Sequence, residues 1–282
     1  MSFNNDTSAW PGFASLEHLF IFGDSYSCIG FAFNLPPPVK MDRKTVPYKG
    51  LTYADEDGTN WVGYLLTQHD PHPNMLVYNY AAGGARVRAA ATTGTVETQV
   101  TKSFLEGHAM SPSEGGGPPW DAENSLFVTW VGINDCAYAK THTDTLNVLF
   151  SLQEKLHAAG ARMFLFIDVP PISRTPTGAK AAASGRDISP SYLNWNAGLR
   201  ESVEAFAAAH PDTRVLTFSA FNAFNRILDD RRKNKLGSEK ELARSGGRAW
   251  RDQLHPTSRM HKLFARELVM FLKGLERSKQ EG

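Results

Sequence analysis

Four short motifs contain the residue types that acyl-transfer chemistry requires. Ser25 lies in the stretch "FGDSY", and Asp252 and His255 lie in "RDQLHPT" near the other end of the sequence. A serine hydroxyl is a poor nucleophile at neutral pH and needs a neighbouring base, which an imidazole can supply. An aspartate three residues before the histidine can accept a hydrogen bond from one ring nitrogen and leave the other to take a proton. These residues predict a nucleophile, a base and the group that orients the base.

The other two motifs supply hydrogen-bond donors for a negatively charged oxygen. Gly84 lies in "NYAAGGARV" and Asn134 lies in "WVGINDC". A glycine lets a backbone N–H approach a bound group without a Cβ in the way, and an amide side chain donates hydrogen bonds without acting as a base. Together with the backbone N–H of Ser25, these donors would form an oxyanion hole.

Each motif taken alone also has an ordinary structural explanation. Asp24 and Ser25 are good helix N-caps, a glycine often marks the turn that follows a strand, and an Asx turn explains Asn134. Isolated Asp-x-x-His pairs are frequent on protein surfaces. The hypothesis of a catalytic site therefore rests on the combination, because together the residues fill every role that the chemistry needs.

Five short apolar runs predict the strands that would position these motifs. Each run is continuous and rich in β-branched or aromatic residues, as expected for strands covered on both faces. Helical patterns separate the runs, and this alternation predicts an α/β fold with a parallel sheet and helices on both sides. The five runs are His18–Gly23, Met75–Ala81, Ser125–Gly132, Ala161–Val169 and Thr213–Phe221.

The motifs fall where ligand-binding groups gather in such a fold. Ser25, Gly84 and Asn134 each follow a predicted strand, and the carboxyl ends of parallel strands meet at one edge of the sheet. A helix is predicted to begin at Ser25. The last helical pattern follows His255, and Pro256 suits its first turn.

Three segments rich in Pro, Gly and Ser interrupt the alternation, at residues 31–60, 108–124 and 170–190. Long loops in compact domains are often functional, so we expect these insertions to form the walls of a cleft. Passive surface loops are the alternative.

Four residues are candidates for contact with substrate. Trp120 and Trp250 lie in irregular segments and could stack on a sugar ring, although tryptophans are core residues by default. Asp24 and Tyr26 flank Ser25 and are the other candidates for the substrate wall.

Size and charge limit the class of protein. The 282 residues carry a formal net charge of +1, so the sequence lacks the excess of positive charge that is typical of proteins that bind nucleic acid or an anionic membrane. No linker divides the chain, and we expect a single domain over residues 1–282. The apolar run at Leu19–Phe22 is too short for a signal peptide or a membrane span. We therefore expect a cytoplasmic protein; a secreted protein whose signal was removed is the alternative, and the oligomeric state stays open.

Neither disulfides nor metals are expected. Two cysteines, Cys28 and Cys136, make no disulfide framework, and in a reducing compartment both should be free thiols. The stretch "HDPHP" at His69–Pro73 contains two histidines without a partner cluster. We expect a surface loop there, and no metal or other cofactor.

In their order along the chain, the four motifs resemble those of the GDSL, or SGNH, hydrolases. The resemblance spans Gly23 to His255. It implies a flavodoxin-like, three-layer α/β/α fold with a five-stranded parallel sheet, and ester hydrolysis without a metal. The roles that it implies are nucleophile for Ser25, triad partners for Asp252 and His255, and oxyanion donors for Ser25, Gly84 and Asn134.

The residues within two of the motifs narrow the resemblance to one branch of the superfamily. "FGDSY" and "LHPT" look most like the fungal carbohydrate acetylesterases. Gly84 is assigned in preference to Gly83 because the glycine of the family falls five positions after an asparagine, here Asn79. Tyr26 replaces the leucine that names the family, and Cys28 stands where many relatives carry aspartate; neither residue belongs to the triad.

We therefore expect a serine esterase that acts on small acyl groups, above all acetyl esters of carbohydrates, with a small molecule or an oligosaccharide as substrate. A lipase or acyltransferase acting on longer acyl chains is the alternative within the family. Phosphoryl chemistry is less favoured, because no acidic cluster for magnesium accompanies the Gly-Asp-Ser motif. A binding module that kept the fold without the activity is the alternative of another class.

Overall fold

A sheet of five parallel strands forms the centre of the molecule, as the apolar runs predict. The computed structural model describes residues 10–30, 52–55, 58–69, 75–89, 94–107 and 120–277. Each strand lies inside one predicted run and is shorter than or equal to it. The strands are β1 (His18–Gly23), β2 (Leu76–Asn79), β3 (Ser125–Trp130), β4 (Met163–Ile167) and β5 (Arg214–Phe218).

β1 lies where the order of the strands reverses. The order across the sheet is β2-β1-β3-β4-β5, so β1 pairs with β2 on one side and with β3 on the other. Phe20 of β1 lies opposite both Tyr78 and Phe127, and its ring stacks on theirs with centroids 4.9 and 4.7 Å apart. In open α/β sheets, ligands bind outside the carboxyl ends of the strands at such a reversal. Ser25 follows β1 at this point.

Helices cover both faces of the sheet and give the predicted three-layer α/β/α architecture. Phe127 of β3 contacts Phe104 on one face, and Trp130 of the same strand stacks on Phe264 on the other face at 4.6 Å. The helices are α1 (Trp61–Tyr64), α2 (Val96–Thr98), α3 (Ile133–Tyr138), α4 (Thr143–Ala158), α5 (Pro176–Ala183), α6 (Ser189–Ala209), α7 (Ala220–Asp229), α8 (Glu239–Leu242) and α9 (Ser258–Arg277).

The two helices flanking β2 are short and change their winding. Asn60 and Thr95 cap them by accepting hydrogen bonds from the N–H groups of Val62 and Thr98. Each then continues as a π-helix, and the second of these places the buried side chain of Gln99 next to the end of β1. The π-helical segments are Leu65–His69 and Gln99–Phe104.

The structure corrects two expectations about local structure. No helix begins at Ser25: the N–H groups of Ser27 and Cys28 both donate to the carbonyl of Asp24, which makes a single turn. Segment 170–190 is not irregular, because it contains a 3₁₀ turn and α5. The Thr175 hydroxyl caps α5, and Pro176 occupies its first turn, where a missing N–H costs nothing.

The other two predicted insertions lie largely outside the described residues, which exclude 31–51, 56–57 and 108–119. Their role as cleft walls therefore stays a prediction for those parts. Residues 52–55 and 58–60 are described, and Tyr53 among them contacts the candidate site.

Candidate active site

The chain turns sharply at the end of β1, just before Ser25. Gly23 has φ +154°, and a Cβ there would lie 2.1 Å from the carbonyl oxygen of Trp130. The side chain of Gln99 accepts from the Gly23 N–H and donates to the Gly23 carbonyl, each at 2.8 Å. These contacts fix the end of the strand, and the turn that follows presents Ser25 at the carboxyl edge of the sheet. Ser25 is buried, with 5% of its surface exposed.

The loop before α9 brings a histidine to this serine. His255 Nε2 lies 2.9 Å from Ser25 Oγ, and His255 Nδ1 lies 2.8 Å from Asp252 Oδ2. With Nδ1 donating to the carboxylate, Nε2 is left to accept the serine proton. The three side chains therefore form the hydrogen-bonded chain that activates a nucleophile.

A compact turn holds the carboxylate of Asp252. Its Oδ1 accepts from the backbone N–H groups of Leu254 and His255, each at 2.8 Å. Burial favours the neutral acid, but these N–H donors and the His255 side chain outweigh it and hold the pKa of Asp252 below its ordinary value. The carboxylate is therefore charged at neutral pH and can stabilise an imidazolium.

A hydrogen bond links the serine turn to the histidine loop. The Tyr26 hydroxyl donates to the Leu254 carbonyl at 2.7 Å, and its ring centroid lies 6.1 Å from that of His255. The tyrosine that replaces the family's leucine thus joins the two segments that carry the serine and the imidazole.

Gly83 and Gly84 have different reasons to be glycine. A Cβ on Gly83 would lie 1.8 Å from the hydroxyl of Tyr53, so only glycine leaves room for that side chain. Gly84 has φ +73°, in the left-handed region, and among the described residues a Cβ on it would meet nothing within 4 Å. The open space beside Gly84 leaves its backbone accessible to a bound group.

Asn134 and Asp135 are the second and third residues of α3, and they hold the loop that carries Gly84. The Asn134 side chain donates to the Ala85 carbonyl at 2.9 Å, and Asp135 Oδ1 accepts from the Val87 N–H at 3.1 Å. The two predicted oxyanion groups beyond Ser25 are thus connected through one residue, Ala85, which follows Gly84 directly.

Comparisons with known proteins decide the family. The model of the family described as GDSL-like lipase/acylhydrolase matches residues 19–268. This chain belongs to that family. An acetylesterase from Thermothelomyces thermophilus is 29% identical over 283 residues, covering 92% of this chain and 89% of the relative. Membership of this family makes the chain a hydrolase of ester bonds.

Solved structures share the fold of this GDSL hydrolase. An acetylxylan esterase from Geobacillus stearothermophilus matches with a TM-score of 0.55 and 16% identity, covering 91% of this chain and 94% of its own. An alpha/beta hydrolase from the metagenome of Lake Arreo matches with a TM-score of 0.57 and 14% identity, covering 93% and 98%. At such low identities the likeness concerns the fold alone.

Two buried carboxyl groups lie close to the triad of the hydrolase. Burial raises the pKa of Asp24 to about 7, opposed by the N–H of Tyr26 and reinforced by Asp135. Burial likewise raises the pKa of Asp135 to about 6, opposed by the N–H of Val87. One oxygen of each, Oδ2, has no hydrogen-bond partner among the described residues. Sequence reasoning missed Asp135, although it follows Asn134 directly.

Three of the four residues predicted for the substrate wall are buried in the structure. Asp24, Tyr26 and Trp250 are fully buried, and Trp250 packs against Phe224 in the core. Trp120 is half-buried, and its ring meets three phenylalanine rings beneath one face of the sheet: Phe20, Phe104 and Phe127. The burial of Asp24, Tyr26 and Trp250 argues against their contact with substrate, whereas a place for Trp120 in the substrate wall stays a prediction.

Tyr53 is a residue beside the candidate site that the sequence analysis did not identify. Its ring stacks on His255 with centroids 4.9 Å apart and planes at 30°, its hydroxyl lies over Gly83, and 38% of its surface is exposed. No motif marks it, since it falls within the irregular segment 31–60. Its contacts with residues about 30 and 200 positions away arise only in the folded chain.

Two other expectations concern thiols and membranes. Cys28 and Cys136 are free thiols, and burial raises the pKa of both. Thiolates, the reactive form, are therefore disfavoured at neutral pH. In the part of the chain that the structure describes, no helix has the length and apolar character needed to cross a membrane.

Proposed function

We propose that this hydrolase removes small acyl groups, principally acetyl, from carbohydrate esters through a serine nucleophile. The observation that carries the proposal is the 2.9 Å contact between Ser25 Oγ and His255 Nε2, formed by residues 230 positions apart in sequence. A pairing of this kind has no evident use in packing, whereas it is what an activated serine requires.

The reaction follows from the contacts at the site. Ser25 Oγ attacks the ester carbonyl carbon while His255 Nε2 accepts the hydroxyl proton, and Asp252 stabilises the resulting imidazolium. The carbonyl oxygen becomes negatively charged and is stabilised by the N–H groups of Ser25 and Gly84 and by the amide of Asn134. The imidazolium then donates its proton to the departing alcohol oxygen, and an acyl-serine remains.

Deacylation uses the same groups in a second step. His255 accepts a proton from water, and the hydroxide oxygen attacks the acyl carbon through a second oxyanion. Collapse of that intermediate releases the carboxylic acid and returns the proton to Ser25 Oγ. Besides the ester and water, these steps use the side chains of Ser25, Asp252 and His255 and the three proposed oxyanion donors.

Two observations support a small acyl group. The relative that is 29% identical is named an acetylesterase. In this chain, Tyr53 lies against His255 and over Gly83, so its ring occupies space beside the point of attack. A bulky ring there favours a short acyl chain over a long one, because filled space cannot accept additional methylene groups.

The test combines a covalent probe with a substrate series. A fluorophosphonate should label Ser25, and Ser25→Ala should lose both the label and the hydrolysis of p-nitrophenyl acetate. Ser27→Ala, two residues along the same turn, is the matched control and should keep the label. A Ser25→Ala enzyme that hydrolysed the acetate at the wild-type rate would refute the nucleophile.

The acyl and alcohol groups are tested separately. Rates should fall from p-nitrophenyl acetate to the dodecanoate, and acetylated oligosaccharides should release acetate. A faster dodecanoate reaction would favour the lipase alternative and overturn the preference for acetyl groups, and no acetate release from any sugar ester would overturn the carbohydrate assignment.

A further inference from the structure

A second cluster of chemically active side chains lies at the opposite edge of the sheet. Glu154 and His157 belong to the last turns of α4, and His210 follows the end of α6. The chain enters β4 shortly after α4 and β5 shortly after α6, so the cluster lies at the amino-terminal edge of these strands. The triad lies at the carboxyl edge, and the proposed ester chemistry does not use this cluster.

The three side chains offer a ligand set typical of a transition metal. One oxygen of Glu154 and one ring nitrogen from each of His157 and His210 lie within 4.8 Å of one another. His210 Nε2 is 2.9 Å from the Glu154 carboxylate, and the two imidazole centroids are 4.1 Å apart. In a tetrahedral zinc site the donor atoms lie about 3.3 Å apart, which small side-chain rotations would reach here.

The cluster is held in place by its surroundings. The His157 carbonyl accepts from the Gly160 N–H, and the His210 carbonyl accepts from the N–H and hydroxyl of Thr213. Both imidazoles are largely covered, with 18% and 17% of their side chains exposed. The backbone at both histidines is thus fixed before any ion binds.

Asp212 provides the outer contact that metal-binding histidines commonly have. Its carboxylate lies 3.3 Å from His157 Nε2 and is itself paired with Arg162 Nε at 2.8 Å. A carboxylate hydrogen-bonded to one nitrogen of an imidazole fixes the orientation of the ring and leaves the other nitrogen for a metal. Arg162 balances the charge of Asp212, so the negative charge left to attract a cation is that of Glu154.

The helix ends add a second, independent attraction. α4 has 16 residues and α6 has 21, and the carboxyl ends of both converge on the cluster. The carboxyl end of a helix carries a partial negative charge that favours a cation. A divalent ion at this position would meet two such ends as well as the Glu154 carboxylate.

We propose that Glu154, His157 and His210 bind a divalent transition metal of the zinc class. The bound ion would link the end of α4 to the end of α6. Two imidazole nitrogens and one carboxylate oxygen favour zinc and its neighbours over calcium or magnesium, which prefer oxygen ligands. The site is structural, because it lies at the other edge of the sheet from Ser25. Bound metal should raise thermal stability and leave ester hydrolysis unchanged.

Two measurements on the intact, metal-stripped enzyme test the site. Zinc should raise the melting temperature by about 2 to 8 °C at high excess over Kd, the size expected when a ligand binds only the folded state of a chain this long. Cobalt(II) should give the visible absorption of a low-symmetry site with nitrogen and oxygen ligands. His157→Gln and His210→Gln should lose both effects, while Glu204→Gln, an exposed carboxylate on α6 outside the cluster, should keep them.

The outcomes are decisive in either direction. Wild-type protein that shows neither a zinc-dependent melting shift nor a cobalt spectrum at millimolar metal would overturn the site. Equal shifts in wild type and in both histidine variants would place the metal elsewhere and overturn the assignment of ligands. If a variant fails to fold, the cobalt spectrum of the wild-type enzyme, with magnesium as the competitor expected to have no effect, still decides.

Discussion

Asn134 and Asp135, neighbours in the first turn of α3, hold the Gly84 loop at two points only two residues apart. Asn134 donates to the Ala85 carbonyl at 2.9 Å, and Asp135 accepts from the Val87 N–H at 3.1 Å. The loop that presents one proposed oxyanion donor is thereby positioned by the helix that presents another.

Asp135 should position the oxyanion donors through its hydrogen bond and not through its charge. Asp135→Asn keeps an oxygen that can accept from Val87 and should retain most of kcat. Asp135→Ala leaves the Val87 N–H without this partner and frees the loop, so kcat for p-nitrophenyl acetate should fall at least about 10-fold, with a smaller change in KM. Equal losses in the two variants would contradict a positioning role.

Asn134→Ala should slow the chemical step strongly. It removes a proposed oxyanion donor and the contact with Ala85, so kcat should fall on the order of 100- to 1000-fold. Steady-state kinetics on p-nitrophenyl acetate measure the effect. Asn222→Ala, on the exposed side of α7, is the control and should leave kcat unchanged; a similar rate for both variants would remove Asn134 from the oxyanion hole.

Tyr53 should set the acyl-length preference through the size of its ring. Tyr53→Ala opens space beside His255, so the rate for p-nitrophenyl octanoate relative to acetate should rise by at least about 10-fold, the lower end of the effect of one methylene group. Tyr53→Phe keeps the ring and should leave this ratio close to that of wild type. A ratio that is unchanged in Tyr53→Ala would show that the acyl chain does not extend toward this residue.

Asp24 should make folding stability depend on pH. Its folded pKa, about 7, is raised from an ordinary value of 3.8, so between these values the folded state holds a proton that the unfolded state has lost. Its contribution is therefore present at low pH and declines as pH rises from about 4 to 7, by up to about 4 kcal/mol.

The measurement is urea unfolding of wild type and Asp24→Asn across that pH range. The free energy of unfolding of wild type minus that of the variant should decrease as pH rises. The comparison with a variant is needed because a second buried group makes folding stability change with pH in the opposite direction. Burial lowers the pKa of His261 to about 3, so the protein loses folding stability through this group as pH falls below 6.5. A difference that stayed constant with pH would contradict a neutral Asp24.

The strands and the triad could be predicted from sequence for a clear physical reason. A strand covered on both faces must be a short apolar run, and five such runs are present. Ser25, Asp252 and His255 follow from residue type and order, because few residues can perform each step of the chemistry. The structure brings those three side chains together, as the motif order implied.

The substrate wall could not be predicted because residue type does not tell where a ring packs. Trp120 and Trp250 lie in irregular sequence, yet the first packs beneath the sheet and the second is fully buried. The contact of Tyr53 with His255 depends on the path of the chain between distant residues, and no local pattern encodes it. The hydrogen bond from the Val87 N–H to Asp135 likewise joins residues 48 positions apart, so no local pattern could indicate it.

The 2.7 Å bond from the Tyr26 hydroxyl to the Leu254 carbonyl joins residues 228 positions apart. Because the residues lie so far apart, the segment that carries Ser25 cannot meet the imidazole of His255 until the 200-odd residues between them have been synthesised and have folded. Enzymatic activity consequently requires that the Ser25 turn and the His255 loop have come together. The rate at which activity recovers after dilution from denaturant therefore measures how fast these two segments meet during refolding.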